Sequence, residues 1–284
     1  NNIEAGSFSE TTTASFGLDF YLGSTDDDDS TADDALTFGY SLGIGLTTSF
    51  TGEDSLAITL DAGNVTEGVA ELDGNTTGDT LIVDGISYTF PVAGATVIVG
   101  DSTDGSALFT TACAYGGPSA MLDDCGNVNA GITGGEATLG ASYDFGNGFT
   151  AATGFQTSST VNGVFTDESA DAYALNTSYT ADDYGVSVTY AVVEATTTAG
   201  VVTDNENTYT AFNAYYTPDG NLPSISVGYE IGDLGGEAST QDETTSFFVG
   251  LTWDEVGPGS AGIALGHSST VEGCLLYTSP SPRD

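Results

Sequence analysis

Residues 36–50 read LTFGYSLGIGLTTSF, and after the polar turn TGED the chain continues as SLAITLDAG over residues 55–63. In both segments large apolar residues alternate with small or hydroxylated ones. A period of two is typical of a β-strand, because successive side chains point to opposite faces of a sheet. The two segments are therefore predicted to form a hairpin with one apolar face and one polar face.

An apolar hairpin face can belong to a soluble sandwich, in which protein covers it, or to a membrane barrel, in which lipid covers it. The same alternation, interrupted by turns, predicts thirteen strands between Thr12 and His267. Strand four, over residues 80–90, alternates poorly, and strand ten is predicted to begin near Thr208. No segment has the period of an amphipathic helix. No apolar run reaches the roughly 18 residues that a membrane-spanning helix needs.

The composition indicates a folded and very acidic chain. Its 284 residues include 41 Asp and Glu and one Lys or Arg, for a formal net charge of -40. Periodic apolar residues and 14 each of Tyr and Phe separate it from disordered acidic sequences. The chain offers no cationic surface to a phosphate backbone, so we expect no nucleic-acid partner and instead an attraction for cations.

Both ends of the sequence look incomplete. The chain begins at Asn1 without a Met or a signal peptide, which we interpret as truncation. Residues 274–284, CLLYTSPSPRD, break the periodicity and resemble the translation of a common sequencing adapter. Without them, residues 1–273 form the natural part, a single barrel fragment with no Lys or Arg, because Arg283 is the only such residue.

The predicted connections alternate between short turns and longer acidic loops. In an up-and-down barrel this alternation places all short turns at one rim and all long loops at the other, as in outer-membrane barrels. The Asn-Gly pair at residues 147–148 is a strong signal for a tight hairpin turn. Aromatic residues beside the short turns would form an interfacial girdle. They are Phe50, Phe90, Phe145, Phe149, Tyr179, Tyr184, Tyr216 and Trp253.

If the apolar face meets lipid, the opposite face lines a lumen. An aqueous channel can hydrate carboxylates that lack a basic partner, whereas a dry sandwich core would have to neutralise them at a cost of several kcal/mol. The sequence therefore favours a water-filled interior. Eight polar residues have the parity expected for pore-lining positions. They are Asp19, Asp61, Glu136, Asp144, Gln156, Asn176, Asn213 and Glu230.

Other candidate chemistry is sparse. Cys113 and Cys125 lie in the longest non-periodic segment, and in an exported protein we expect them to form a disulfide, with free thiols as the alternative. No acidic stretch completes a calcium-binding loop, so no specific metal or cofactor is predicted. Non-specific divalent cations could still bridge acidic loops. These loops contain Asp26, Asp27, Asp28, Asp29, Asp33, Asp34, Asp123 and Asp124.

Residues 39–43, GYSLG, match the G-x-S-x-G pattern of serine hydrolases. The match lies inside a predicted strand, not at a strand-to-helix turn. The only histidine, His267, has the parity of the apolar face. We interpret the match as chance and predict that the protein is not an enzyme.

Three stretches resemble the cyanobacterial branch of the carbohydrate-selective, OprB-type porin family. They are TTSFTGEDSLAITLDAGN at 47–64, YTFPVAGATVIVG at 88–100 and SFFVGLTWDEVGPGSAGIALGH at 246–267. The resemblance implies a barrel of about sixteen strands, so that about three would follow the adapter junction. It also implies an upstream signal peptide and a surface-layer-homology domain, through which alone peptidoglycan would be bound.

The family tends to carry Lys or Arg where this chain has Glu53, Ser55, Ala57 and Thr59, so a basic, sugar-selective lining does not carry over. The sequence predicts an outer-membrane porin that lets small hydrophilic solutes diffuse passively and prefers cations. Membrane lipid and these solutes are the expected partners, and a homo-oligomer is left open. The alternative is a secreted or surface-layer β-sandwich adhesin with calcium-bridged acidic loops.

Overall fold

The computed structural model describes residues 12–23, 36–65, 74–115, 125–158, 163–164, 166, 169–196, 202–220, 222–235, 243–256 and 259–267. These residues form thirteen strands, and no helix among them is long and apolar enough to cross a membrane. The strands are β1 (Thr12–Gly23), β2 (Thr37–Thr48), β3 (Ser55–Gly63), β4 (Ile82–Val92), β5 (Ala95–Asp101), β6 (Ala137–Gly146), β7 (Phe149–Thr157), β8 (Asp171–Thr180), β9 (Tyr184–Thr196), β10 (Val202–Tyr216), β11 (Ser224–Asp233), β12 (Glu243–Val256) and β13 (Gly259–His267).

All thirteen strands belong to one antiparallel sheet, in which they follow one another in chain order. This arrangement confirms the predicted up-and-down topology. It also places the short turns at one end of the sheet and the longer connections at the other. Among the described residues β1 pairs only with β2 and β13 only with β12, so the sheet is open between its two outermost strands.

The two faces of the sheet differ in exposure. On the apolar face Phe38 is 65% exposed, and Leu139, Leu175 and Val249 are also exposed. On β8 to β12, by contrast, most side chains of the opposite face are buried. No described residues form a second layer over the apolar face. A β-sandwich requires such a layer, so the described part of the chain does not form one.

The polar face is covered by the chain itself. We call residues 102–115 and 125–136, which connect β5 to β6, the two arms of the inner segment. Ala130 and Ile132 of this segment belong to the same buried apolar cluster as Ala174, Ala191 and Ala211 of the sheet. Because the sheet contributes alanines here, the segment can lie close against it. The hydrophobic core therefore lies inside the sheet.

Two glycines show how closely the inner segment approaches the sheet. A Cβ at Gly154 on β7 would lie 1.9 Å from the carbonyl oxygen of Gly105, and one at Gly228 on β11 would lie 1.6 Å from that of Cys125. Real Cβ atoms essentially never come within 3.0 Å of a heavy atom. At both positions, therefore, only glycine fits the observed backbone.

Two predicted strands need correction. Strand ten begins at Val202 and not near Thr208, because a register shift between Val202 and Glu206 interrupts the alternation without ending the strand. Strand four covers Ile82–Val92, and a bulge at Asp84 opposite β3 explains its poor alternation. The predicted Asn-Gly turn is confirmed, with φ values of 56° at Asn147 and 86° at Gly148.

Candidate functional site

The first arm of the inner segment is held by side chains of successive strands. Its residues at alternate positions donate backbone N–H groups to inward-facing side chains, so that each two-residue step reaches a more distant strand. The arm therefore runs across the sheet. The pairs are Thr110 with Asn176 Oδ1 of β8 at 3.1 Å, Ala112 with Ser187 Oγ of β9 at 2.9 Å, and Ala114 with Ser226 Oγ of β11 at 2.8 Å.

The second arm is anchored by the carboxylate of Glu230, which is only 1% exposed. Its Oε2 accepts the backbone N–H groups of Asn129 and Ala130, each at 2.8 Å, and its Oε1 accepts Asn129 Nδ2 at 2.7 Å. Three donors compensate for the burial of a carboxylate that has no Lys or Arg within reach. Glu230 thus fixes the position of the second arm.

Two further inward-facing residues contact the backbone of the inner segment. Gln156 Oε1 accepts the N–H of Gly105 at 2.9 Å, and Gln156 Nε2 donates to the carbonyl of Thr133 at 2.6 Å. Asn213 Nδ2 donates to the carbonyl of Cys125 at 2.8 Å. Gln156, Asn213 and Glu230, together with Asn176, therefore lie on the predicted face but hold the inner segment instead of facing open water.

The two arms are also tied together and to β12. A disulfide joins Cys113 and Cys125, with 6.1 Å between their Cα atoms. Beside it the ring of Tyr115 packs edge-on against Phe248 of β12, with 5.3 Å between ring centroids. Phe248 is 1% exposed. Burial raises the pKa of the Tyr115 phenol, which therefore stays neutral over a wide pH range.

An acidic cleft of about 450 Å³ separates the inner segment from β3 and β4. Asp84 lines it from the bulge of β4, Asp104 from the inner segment, and Glu136 from the residue before β6. Asp104 Oδ1 also accepts the N–H of Gly134 at 2.7 Å, which links the outer ends of the two arms. The described residues include no Lys or Arg, so the potential in the cleft is negative and attracts cations.

The other predicted pore-lining residues are spread over the same face. Asp19 on β1 pairs with Ser41 in register, and Asp61 on β3 pairs with Gly43, so both lie on the side of the sheet that carries the acidic cleft. Asp144 lies at the short-turn end, where its Oδ1 accepts the N–H of Gly146 at 2.7 Å. A role for these carboxylates in a pore stays a prediction.

Sequence reasoning missed two of the three carboxylates in the acidic cleft. Asp84 was hidden by the bulge, which breaks the parity from which the pore-lining residues were derived. Asp104 belongs to a segment without periodicity. A usable signal was present in that segment, because Phe109, Ala130 and Ile132 make it more apolar than the acidic loops.

The predicted girdle residues lie on the outward face at the short-turn end. Phe149 and Tyr179 are paired in register with ring centroids 4.6 Å apart, and the ring centroids of Tyr179 and Tyr184 are 5.9 Å apart. Tyr216 is paired with Tyr184 on β9. Their position suits an interfacial ring, and that role stays a prediction. The other four girdle residues also lie on the outward side and neighbour other short turns. They are Phe50, Phe90, Phe145 and Trp253.

The turn between β2 and β3 is organised by the buried carboxylate of Asp54. Its Oδ1 accepts the N–H groups of Phe50 and Thr51 at 2.9 and 2.7 Å, and the hydroxyls of Ser49 and Thr51, both at 2.8 Å. Its Oδ2 accepts the hydroxyl of Tyr88 at 2.6 Å. The Tyr88 hydroxyl and the Thr51 amide hold the pKa of Asp54 well below its usual range. The motif SFTGED is therefore a hydrogen-bonded turn.

The remaining candidates form no catalytic or metal-binding arrangement in the described part of the chain. Ser41 lies within β2 and its hydroxyl accepts the N–H of Asn75 at 3.2 Å, while His267 ends β13 beside Phe247, near the opposite edge of the sheet. Among the described residues no three side chains of the metal-ligating types cluster. The acidic loop residues named above, from Asp26 to Asp34 and at Asp123 and Asp124, lie outside the described residues.

The likeness of this chain to known proteins lies in its fold and not in its sequence. No family model matches the sequence, and no curated protein matches it. The high-pH structure of Pseudomonas putida OprB is similar with a TM-score of 0.52 and 13% identity, over 90% of this chain and 75% of that one. The outer membrane channel DcaP of Acinetobacter baumannii gives a TM-score of 0.49 and 11% identity over 90% of both chains. The trimer form of Vibrio cholerae OmpT gives 0.48 and 11% over 97% of this chain and 96% of that one.

Proposed function

We propose that this chain is a large part of the barrel of an outer-membrane porin, which lets small hydrophilic solutes diffuse passively through a water-filled interior. The observation that carries the proposal is the outward face, on which large apolar side chains such as Phe16 and Phe38 are exposed from β1 to β13. Soluble monomers rarely expose apolar patches beyond a few hundred Å². Hydrocarbon around the sheet would cover this face, and water inside it would hydrate the acidic cleft.

The path for solutes runs between the inner segment and the inner face of β1 to β4. The inner segment occupies the space in front of β7 to β12, whereas Asp19 on β1 remains exposed. Along this path lie the acidic cleft with Asp84, Asp104 and Glu136, and Asp61 on β3. These carboxylates concentrate cations and repel anions, an effect that salt screens over about 8 Å at physiological ionic strength.

The resemblance of three sequence stretches to the OprB-type family supports a porin of that type, and the similarity of fold to an OprB structure agrees with it. Sugar selectivity is not included in the proposal, because the family's basic positions are Glu53, Ser55, Ala57 and Thr59 here. The proposed selectivity is for charge: small cations pass in preference to anions of the same size.

Reversal potentials of the full-length protein in planar bilayers test the proposal. Under a salt gradient the sign of the potential should show cation preference, and the triple variant D84N/D104N/E136Q should shift it toward zero. Asp219→Asn, which removes an exposed carboxylate from a short turn outside the path, is the matched control and should leave the potential unchanged. Anion preference in the unaltered protein would contradict the charge selectivity, and failure to form any channel would contradict the porin itself.

A further inference from the structure

The outward face contains a trough over β6 to β9. Along β7 the outward side chains are Phe149, Ala151, Thr153 and Phe155, so two small residues lie between two aromatic ones. Along β8 the register places Tyr179, Thr177, Leu175 and Tyr173 beside them. Phe155 and Tyr173 close the far end with ring centroids 5.2 Å apart, and Phe149 and Tyr179 stand at the short-turn end with 4.6 Å between centroids.

Two adjoining depressions make up the trough. One, of about 480 Å³, lies around Ala141 and Thr153, and the other, of about 390 Å³, lies around Ala151 and Thr177. The hydroxyl of Thr153 donates to the carbonyl of Ala174 at 3.3 Å, so the sheet itself satisfies this hydroxyl.

The trough runs along the strands. From Phe149 to Phe155 it is about 20 Å long at roughly 3.4 Å per residue. Strands of a membrane barrel are tilted by about 45°, so this length spans about 14 Å of depth, close to one leaflet of the hydrocarbon core, which is about 15 Å thick. A depression with this length and direction fits a lipid acyl chain whose head group lies at the short-turn end, beside the predicted aromatic girdle.

The charges at that end distinguish between occupants. The turn between β8 and β9 carries the exposed carboxylates Asp182 and Asp183. The described residues contain no Lys or Arg, so a second copy of this chain would bring only further negative charge to the trough. An anionic head group would be repelled in the same way, whereas an ammonium group would be attracted to these carboxylates.

The geometry points to a binding site for one phospholipid with an ammonium-bearing head group, one of its acyl chains lying in the trough over β6 to β9 and its head group near Asp182 and Asp183. This inference rests on the proposed function, since it requires that the outward face meets lipid. It goes beyond that function by assigning a specific lipid to one part of the face.

Native mass spectrometry of the full-length protein, extracted from vesicles of phosphatidylethanolamine, tests the site. The variant A151F/T153F fills the trough, and the control Ala14→Phe places a single Phe on the outward face of β1, outside it. The unaltered protein and the Ala14→Phe variant should each retain one phospholipid per chain. In A151F/T153F occupancy should fall about tenfold or more, a factor that losing two methylene contacts already produces. Vesicles of phosphatidylglycerol should give low occupancy for all three proteins.

Equal retention by all variants, or equal retention of the two lipids, would overturn the inference. It would also be overturned if A151F/T153F kept its lipid but lost self-association, because a second copy would then occupy the trough. Heat-modifiable migration on a denaturing gel shows whether each variant is folded, and Ala151→Phe alone is a milder second variant. Planar-bilayer conductance separates the two proposals. Variants that conduct and retain as much lipid as the unaltered protein refute only the lipid site. An unaltered protein that does not conduct refutes the porin.

Discussion

Gly228→Ala is the most direct test of how the inner segment lies on the sheet. The new Cβ would be 1.6 Å from the carbonyl oxygen of Cys125 and 2.8 Å from Asn213 Nδ2. Since contacts below 3.0 Å are essentially never observed, the backbone at Cys125 would have to retreat by about 1.4 Å. Such a shift would also strain the hydrogen bond from Asn213 Nδ2 to the same carbonyl. Overpacking of this kind typically costs about 1–3 kcal/mol.

Hydrogen exchange followed by mass spectrometry reports the displacement directly. In the Gly228→Ala variant the amides of Ala112 and Ala114 should exchange faster, because the hydrogen bonds that protect them depend on the segment lying against the sheet. Gly154→Ala is an independent second test, since its Cβ would meet the carbonyl of Gly105 at 1.9 Å. Gly17→Ala on β1 is the matched control, because its Cβ would have no atom within 4 Å. Exchange and stability equal to those of the control in both variants would refute the observed packing.

Three further predictions concern other anchors of the structure. Because the pKa of Asp54 is lowered from 3.8, the contribution of this carboxylate to stability is present above pH 3.8 and is lost as pH falls toward the lower pKa of the folded state. Tyr88→Phe should move this loss to higher pH in an acid titration of stability. An unchanged midpoint would contradict the role of the Tyr88 hydroxyl. Glu230→Ala should lower the unfolding free energy by about 2–3 kcal/mol in denaturant titrations, whereas Ala at the exposed Glu53 should have little effect; equal effects would contradict the anchoring role. Reducing the disulfide between Cys113 and Cys125 should cost about 3 kcal/mol and speed proteolysis of the inner segment, and resistance equal to that of the oxidised protein would count against it.

The strands could be predicted because their pattern is local. The face of residue 38 or residue 175 follows from counting by two along one strand, and an alternation this strong needs no knowledge of the neighbours. The tight turn at Asn147 and Gly148 is equally local, because positive φ at two positions selects few residue types. Predictions failed where the count was broken, as at the bulge of Asp84 and the register shift before Glu206.

The inner segment could not be predicted in the same way, because its position depends on contacts between residues far apart in the chain. Thr110 and Asn176 are 66 residues apart, and Asn129 and Glu230 are 101 apart. The inner segment needs space on the inner face of the sheet, and small residues supply it, at Gly154, at Gly228 and at the alanines of the core. In a single strand these look like ordinary small residues. Only when adjacent strands are aligned do these positions form one surface on which a backbone can lie. Polar parity therefore identified the correct face of the sheet, but it could not separate residues that bind the inner segment, such as Glu230, from those left beside the acidic cleft, such as Asp61.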